Sequence, residues 1–159
     1  MKMAFLGIDT SNYMTSAAVY EYDSGLPRNI GCPLRVEKGK RGLRQSDAVF
    51  AHIKNIPEVF AGLFSEYSGV IEAIGVSNAP REASGSYMPC FLPGMALASV
   101  LSIVLKVPLY EFSHQAGHAA AAAYGCGHGD ILNRDFLAWH LSGGTSELLY
   151  VSATKENII

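Results

Sequence analysis

The spacing of apolar residues changes along this chain of 159 residues, and the change limits the folds that it can adopt. Three short apolar runs, MAFLGIDTS, TSAAVYEYD and NIGCPLRVE, come first and predict a buried strand, its hairpin partner and a weaker third strand. Further along, strand-like runs alternate with helical ones. Paired strands followed by alternating elements predict an α/β lobe with a mixed five-stranded sheet flanked by helices.

Three helices are expected among the later elements. Apolar residues recur at three- and four-residue steps over residues 49–64, which predicts an amphipathic helix that Ser46 or Asp47 would cap. Pro57 within this segment predicts a kink or a break near Asn55, because proline removes a helical hydrogen bond.

A second helix is predicted to open at Pro93 and to end near Lys106, between the strands VIEAIGVSN and VPLYEF. It is apolar nearly all round, so we expect it to be buried. The alanine-rich segment HQAGHAAAAAY predicts a third helix, and FLAWHLS and SELLYVS around GGT predict a closing hairpin.

The composition is that of a globular cytoplasmic protein. Hydrophobic residues make up 49% of the chain and charged residues 16%, and the net charge of -2 gives no overall attraction to nucleic acid. The basic run EKGKRGLR is either a local patch or a solvated loop. Three widely spaced cysteines indicate a reducing compartment, and we expect neither a signal peptide nor a membrane span.

Two turns carry residues that could hold a phosphate. In GIDTSNYMTS, Asp9 could hold a hydrated cation while Thr10 and Ser11 face anionic oxygens; an ordinary turn is the alternative. In HLSGGTSELL, the two glycines would let the backbone approach a ligand, although a plain hairpin turn also fits. The candidate residues of this second turn are Ser142, Gly143, Gly144 and Thr145.

Two histidines, His114 and His118, are four residues apart on the third predicted helix. Positions i and i+4 share a helix face, so the two imidazoles could converge on one divalent ion. The neighbouring alanines have small side chains, so a ligand or another element could approach the helix closely there. Alternatively, one ring caps the helix and the other is a surface residue. Two histidines leave a metal under-coordinated, so further ligands must come from elsewhere.

Other histidines and cysteines offer weaker candidates. The segment GCGHGD contains Cys126, His128 and Asp130, which form either a rival metal cluster or a glycine-rich loop. His52 and His140 are expected to be structural.

Taken in order, these segments resemble the tRNA threonylcarbamoyladenosine synthase family, formerly called O-sialoglycoprotein endopeptidases, of the actin-like, sugar-kinase and Hsp70-type ATPase superfamily. GIDTSNYMTSAAV is similar to the family's GIETS strand and hairpin, and AHIKNIPEVF to its first helix. HQAGH resembles the family's metal motif, and LSGGTSELL its SGGH phosphate loop.

The resemblance implies a ribonuclease H-like actin-type ATPase lobe over residues 1–130 and the opening hairpin of a truncated second lobe over residues 135–159. It implies a metal, iron or zinc with magnesium as an alternative, held by His114 and His118. With Asp9 these would be the catalytic residues. ATP or an adenylate would lie between the two glycine- and hydroxyl-bearing turns.

The implied reaction transfers a threonylcarbamoyl group from its adenylate to an adenosine of tRNA. The implied partners are that adenylate, tRNA, and a paralogous subunit of the same fold or a second copy, without a membrane. We expect the chain to be an N-terminal part of such an enzyme, not competent alone, because the family's distal aspartate would lie beyond Ile159.

The chain departs from the family pattern in two of its loops. The loop at 79–94, APREASGSYMPCFLPG, differs from the family's glycine-rich loop, and Thr145 stands where the family usually has histidine. Two other functions therefore stay open: an ATPase or phosphotransferase of the same superfamily, which would use Asp9 for magnesium, and a non-catalytic scaffold paralogue.

Overall fold

The computed structural model describes residues 3–11, 13–22, 25, 27–36, 39, 42–65, 67–141 and 146–153. The chain divides into two compact units, Met1–His114 and Gln115–Ile159. The assignment of 1–130 and 135–159 to two lobes stays a prediction. Within the described residues, no helix combines the length and the hydropathy that a membrane crossing requires.

The first unit contains a mixed five-stranded sheet with the order β3-β2-β1-β4-β5. β1, β2 and β3 pair antiparallel, whereas β4 and β5 run parallel to β1. The predicted α/β sheet is therefore confirmed. The strands are β1 Met3–Asp9, β2 Met14–Glu21, β3 Pro27–Pro33, β4 Val70–Ala79 and β5 Leu109–Ser113.

Helix α1, Gln45–Phe64, covers part of the sheet with an apolar stripe that includes Val59 and Leu63. The predicted caps are wrong: Arg44 is the N-cap residue, and it makes no side-chain hydrogen bond to the helix. The helix continues through Pro57 without the predicted break. The bond that this proline removes would have ended on the carbonyl of Ile53, an exposed residue where solvent can replace it.

Helix α2, Leu92–Leu105, follows a short 3-10 turn at Pro89–Phe91 and ends at Lys106, whose φ is 58°. Pro93, Gly94 and Ala98 are buried, but Ile103 is 76% exposed. The expectation of burial all round is wrong, because only one face of a helix can contact the sheet that it covers.

The second unit contains most of helix α3, His114–Gly125, which begins at the last residue of the first unit. A 3-10 turn at Gly129–Asn133 follows. β6, Phe136–Leu141, and β7, Ser146–Val151, then pair antiparallel and form the predicted hairpin.

Candidate functional site

Three polar side chains meet where adjacent parallel strands end in the first unit. Asp9 is the last residue of β1, Ser77 lies near the end of β4, and His114 follows β5 directly. Because parallel strands present their carboxyl ends at the same edge of a sheet, residues distant in sequence converge there. This edge carries the candidate site.

The Asp9 carboxylate accepts hydrogen bonds from three different elements. The backbone N–H of Ser11 lies 2.6 Å from Oδ1, the Ser77 hydroxyl lies 3.1 Å from Oδ2, and Nδ1 of His114 lies 2.6 Å from Oδ2. Burial works to raise the pKa of Asp9, but the hydrogen bond and charge of His114, with the Ser11 amide, hold that pKa below its usual value. The group is therefore an ionised acceptor at neutral pH.

The contact with Asp9 fixes the proton of the His114 ring. An ionised carboxylate can only accept, so Nδ1 of His114 is the donor. In the neutral ring, Nε2 then carries the lone pair. The Phe91 ring lies beside this imidazole, with the two centroids 6.4 Å apart.

Thr10 and Ser11, two of the residues predicted to bind a ligand, have different environments. The side chain of Thr10 is fully buried, and its hydroxyl accepts the N–H of Gly94 at 3.2 Å. Ser11 is half-buried and donates its backbone N–H to Asp9. Contact of either residue with an adenylate stays a prediction, and the geometry makes the Thr10 hydroxyl a link to α2.

A buried histidine lies on α1, close to the turn between β1 and β2. His52 is 0% exposed, its Nδ1 lies 2.8 Å from the Thr15 hydroxyl, and Asn55 donates to the same hydroxyl at 3.3 Å. Its Nε2 has no hydrogen-bond partner among the described residues. Burial lowers the pKa of His52, although the charge of Asp9 acts in the opposite direction.

The second unit places His118 in a cleft between α3 and β6. The ring of His118 lies 5.8 Å from that of His140, and Glu147 accepts a hydrogen bond from Gln115 at 2.9 Å. The cleft has a volume of about 340 Å³, and the alanine face of α3 lines one of its walls. The small side chains after His118 therefore leave space beside it.

The remaining candidates are not gathered into a metal site by the structure. Cys126 is exposed, and Asp130 pairs with Arg134 at 3.4 Å. No three or more histidine, cysteine, aspartate or glutamate side chains come together to hold a metal ion in the part of the chain that is described. The predicted phosphate loop at 142–145 lies outside the described residues.

Sequence reasoning missed the contact between Asp9 and His114 and the part played by Ser77. Asp9 and His114 were both predicted to bind a ligand or metal ion, but nothing in the sequence indicated that they contact each other. The signal that could have joined them is their position, since each lies where a strand of the parallel part of the sheet ends.

Two similar curated proteins carry the same name. A Thermosipho melanesiensis protein named tRNA N6-adenosine threonylcarbamoyltransferase is 28% identical over 99% of this chain and 47% of its own length. The Streptococcus agalactiae protein of the same name is 31% identical over 92% of this chain and 42% of its own length. The resemblance to the threonylcarbamoyltransferases is thus confirmed. The chain spans less than half the length of these relatives, and no family model matches it.

Two solved structures have folds similar to that of this chain. YeaZ from Pseudomonas aeruginosa has a TM-score of 0.56 and 15% identity, over 94% of this chain and 68% of its own. A P. aeruginosa protein described as similar to the peptidase YEAZ has a TM-score of 0.50 and 16% identity, over 92% of this chain and 63% of its own. At these identities the likeness concerns the fold alone. With the mixed five-stranded sheet, it confirms the predicted actin-like fold class.

Proposed function

We propose that this chain is the N-terminal part of a metal-dependent tRNA threonylcarbamoyladenosine synthase-like protein. The observation that carries the proposal is the bond between Asp9 and His114 at the carboxyl ends of three strands, in a chain whose relatives are tRNA N6-adenosine threonylcarbamoyltransferases. His118 lies one turn further along the same helix. The proposed catalytic residues are therefore Asp9, His114 and His118.

The donor atoms suit a borderline metal ion. Imidazole nitrogens favour zinc or iron, whereas magnesium prefers oxygen ligands, so we propose zinc or iron. A carboxylate bonded to the second ring nitrogen is typical of metal-ligating histidines, and His114 has such a partner in Asp9. His114 and His118 would supply two ligands, and the remaining ligands would come from outside this pair.

A bound divalent ion would polarise the carbonyl of the threonylcarbamoyl group and offset charge on the adenylate phosphate. The residues of this chain would orient the ligands of that ion. The turn at 9–11 and the loop at 142–145 are the proposed contacts for the adenylate or ATP. The support for that part is the resemblance of their sequences to the family motifs.

The proposed partners and location follow from the relatives. Their name indicates that they act on tRNA, and we propose tRNA adenosine as the acceptor for the intact protein in the cytoplasm. A paralogous subunit of the same fold, or a second copy of the chain, is the proposed protein partner.

Zinc titration of the intact protein by calorimetry tests the metal part. We expect His114→Ala and His118→Ala each to lower zinc affinity at least about tenfold, because each would remove a direct ligand. His128→Ala is the matched control, since His128 is exposed and lies outside the proposed pair. Zinc binding that survives both replacements would contradict the proposed site.

Transfer of the threonylcarbamoyl group is tested separately. The intact protein, its same-fold partner and unmodified tRNA are incubated with threonylcarbamoyl-adenylate, and the modified nucleoside is quantified by mass spectrometry. We expect product that depends on His114. Nucleotide hydrolysis without transfer would favour the ATPase or phosphotransferase, and tight dimerisation without ligand binding would favour the scaffold.

A further inference from the structure

The Asp9 carboxylate already accepts three hydrogen bonds within the protein. Ser11 donates to Oδ1, and Ser77 and His114 donate to Oδ2, from the turn, from β4 and from the start of α3. A metal ion bound directly to Oδ2 would compete with the 2.6 Å contact to His114. The sequence-based expectation that Asp9 holds a hydrated cation stays a prediction, and the short contact points to a second role for Asp9 through His114.

We propose that Asp9 is a positioning residue that acts through His114: it keeps the proton on Nδ1 and thereby presents Nε2 as the nitrogen that binds the metal ion. The part concerning the metal rests on the proposed function. The orientation and the protonation of the ring are properties of the metal-free protein and can be measured without it.

Two hydrogen bonds position the Asp9 carboxylate independently of the His114 ring. Ser11 is two residues from Asp9 and its N–H fixes Oδ1, while Ser77 on the neighbouring strand fixes Oδ2 from the sheet. His114 is the first residue after β5, so the sheet also places its Cα. The positions of the two backbones and the short hydrogen bond together restrict the orientation of the ring relative to the carboxylate.

The protonation follows from the partner of Nδ1. Either nitrogen of a neutral imidazole can carry the proton, and the hydrogen bond made by one nitrogen decides which does. An ionised Asp9 can only accept, so it selects the form with the proton on Nδ1. That form has the lone pair on Nε2, and a metal ion binds to a lone pair.

Replacement of Asp9 by asparagine should move the proton of the neutral His114 ring from Nδ1 to Nε2. The amide oxygen is expected to accept the N–H of Ser11, as Oδ1 does now, which places the amide NH₂ opposite Nδ1 of His114. The NH₂ would then donate to Nδ1, and the proton of the neutral ring would move to Nε2. Side-chain volume is conserved, so the turn keeps its shape.

Long-range ¹H–¹⁵N NMR of the metal-free intact protein measures the tautomer of His114. We expect a proton on Nδ1 in the wild type, a proton on Nε2 in Asp9→Asn, and a loss of zinc affinity of about 10- to 100-fold in the variant. Glu111→Gln is the matched control: it removes one charge from β5, where exposed Glu111 accepts a hydrogen bond from half-buried Asn78. We expect neither effect there.

Other results would overturn the proposal. A proton that stays on Nδ1 in Asp9→Asn, or an equal loss of zinc affinity in Glu111→Gln, would show that Asp9 does not act through the ring. If Asp9→Asn does not fold, Asp9→Ala removes the acceptor altogether, and the proton on Nδ1 should then no longer be favoured. A tautomer shift in a protein that binds no zinc would support the positioning by Asp9 and count against the proposed function.

Discussion

The backbone N–H of Gly94, in the first turn of α2, donates a hydrogen bond of 3.2 Å to the hydroxyl of Thr10, in the turn that follows β1. Thr10 is fully buried, and a Cβ built on Gly94 would lie 2.8 Å from that hydroxyl oxygen. The helix can approach the turn this closely only because position 94 has no side chain. The turn that carries Asp9 is thus held in place by α2.

Gly94→Ala should destabilise the protein by about 1–3 kcal/mol, because the added methyl group meets a buried and hydrogen-bonded oxygen. Gly117→Ala, at a position in α3 with nothing within 4 Å of a built Cβ, is the matched control and should stabilise by about 0.5–1 kcal/mol. Urea denaturation followed by circular dichroism measures both. Shifts in the same direction would contradict the close approach at Gly94.

Pro57→Ala should stabilise the protein by about 1–2 kcal/mol, since Pro57 is exposed inside α1 and its replacement restores a helical hydrogen bond to Ile53. The greater freedom of the unfolded chain offsets part of the gain. The neighbouring exposed variant Glu58→Ala should change the free energy of unfolding by less than about 0.5 kcal/mol. Thermal unfolding distinguishes them, and a destabilised Pro57→Ala would show that the proline fits its site without cost.

The burial of His52 predicts a pH dependence of stability. Burial lowers the pKa of His52 below its usual value of 6.5, so the unfolded chain binds a proton that the folded protein does not. The stability from this difference is present above pH 6.5 and is lost as the pH falls through the folded-state pKa. Between about pH 7.5 and about pH 5.5, the wild type should lose more unfolding free energy than His52→Gln. Parallel losses in urea titrations would refute this assignment.

The three cysteines should differ in reactivity. Burial raises the pKa of the Cys90 thiol to about 11, whereas Cys126 is exposed. Because only the thiolate is a strong nucleophile, iodoacetamide should alkylate Cys126 first and Cys90 only after unfolding. Peptide mass spectrometry over time measures both rates, and Cys126→Ser should remove the fast phase. Early labelling of Cys90 would contradict its burial.

Local periodicity predicted most elements of the fold. The runs around β1, β2 and β4 were apparent from apolar residues at short range, and α1 from its steps of three and four. The caps of α1 were wrong because a polar residue near a helix start is common and only its backbone geometry makes it a cap. The exposed face of α2 was missed because composition does not show how many neighbours a helix has.

The sequence by itself determined which segments of this protein become strands and helices, and it carried the resemblance to the threonylcarbamoyltransferases, since both depend on neighbouring residues. Only the tertiary structure decided that Asp9 meets His114, 105 positions away, and that Thr10 and His52 are buried. The physical reason is the strand order. β4 pairs beside β1 and β5 beside β4, and this long-range pairing brings the strand ends together.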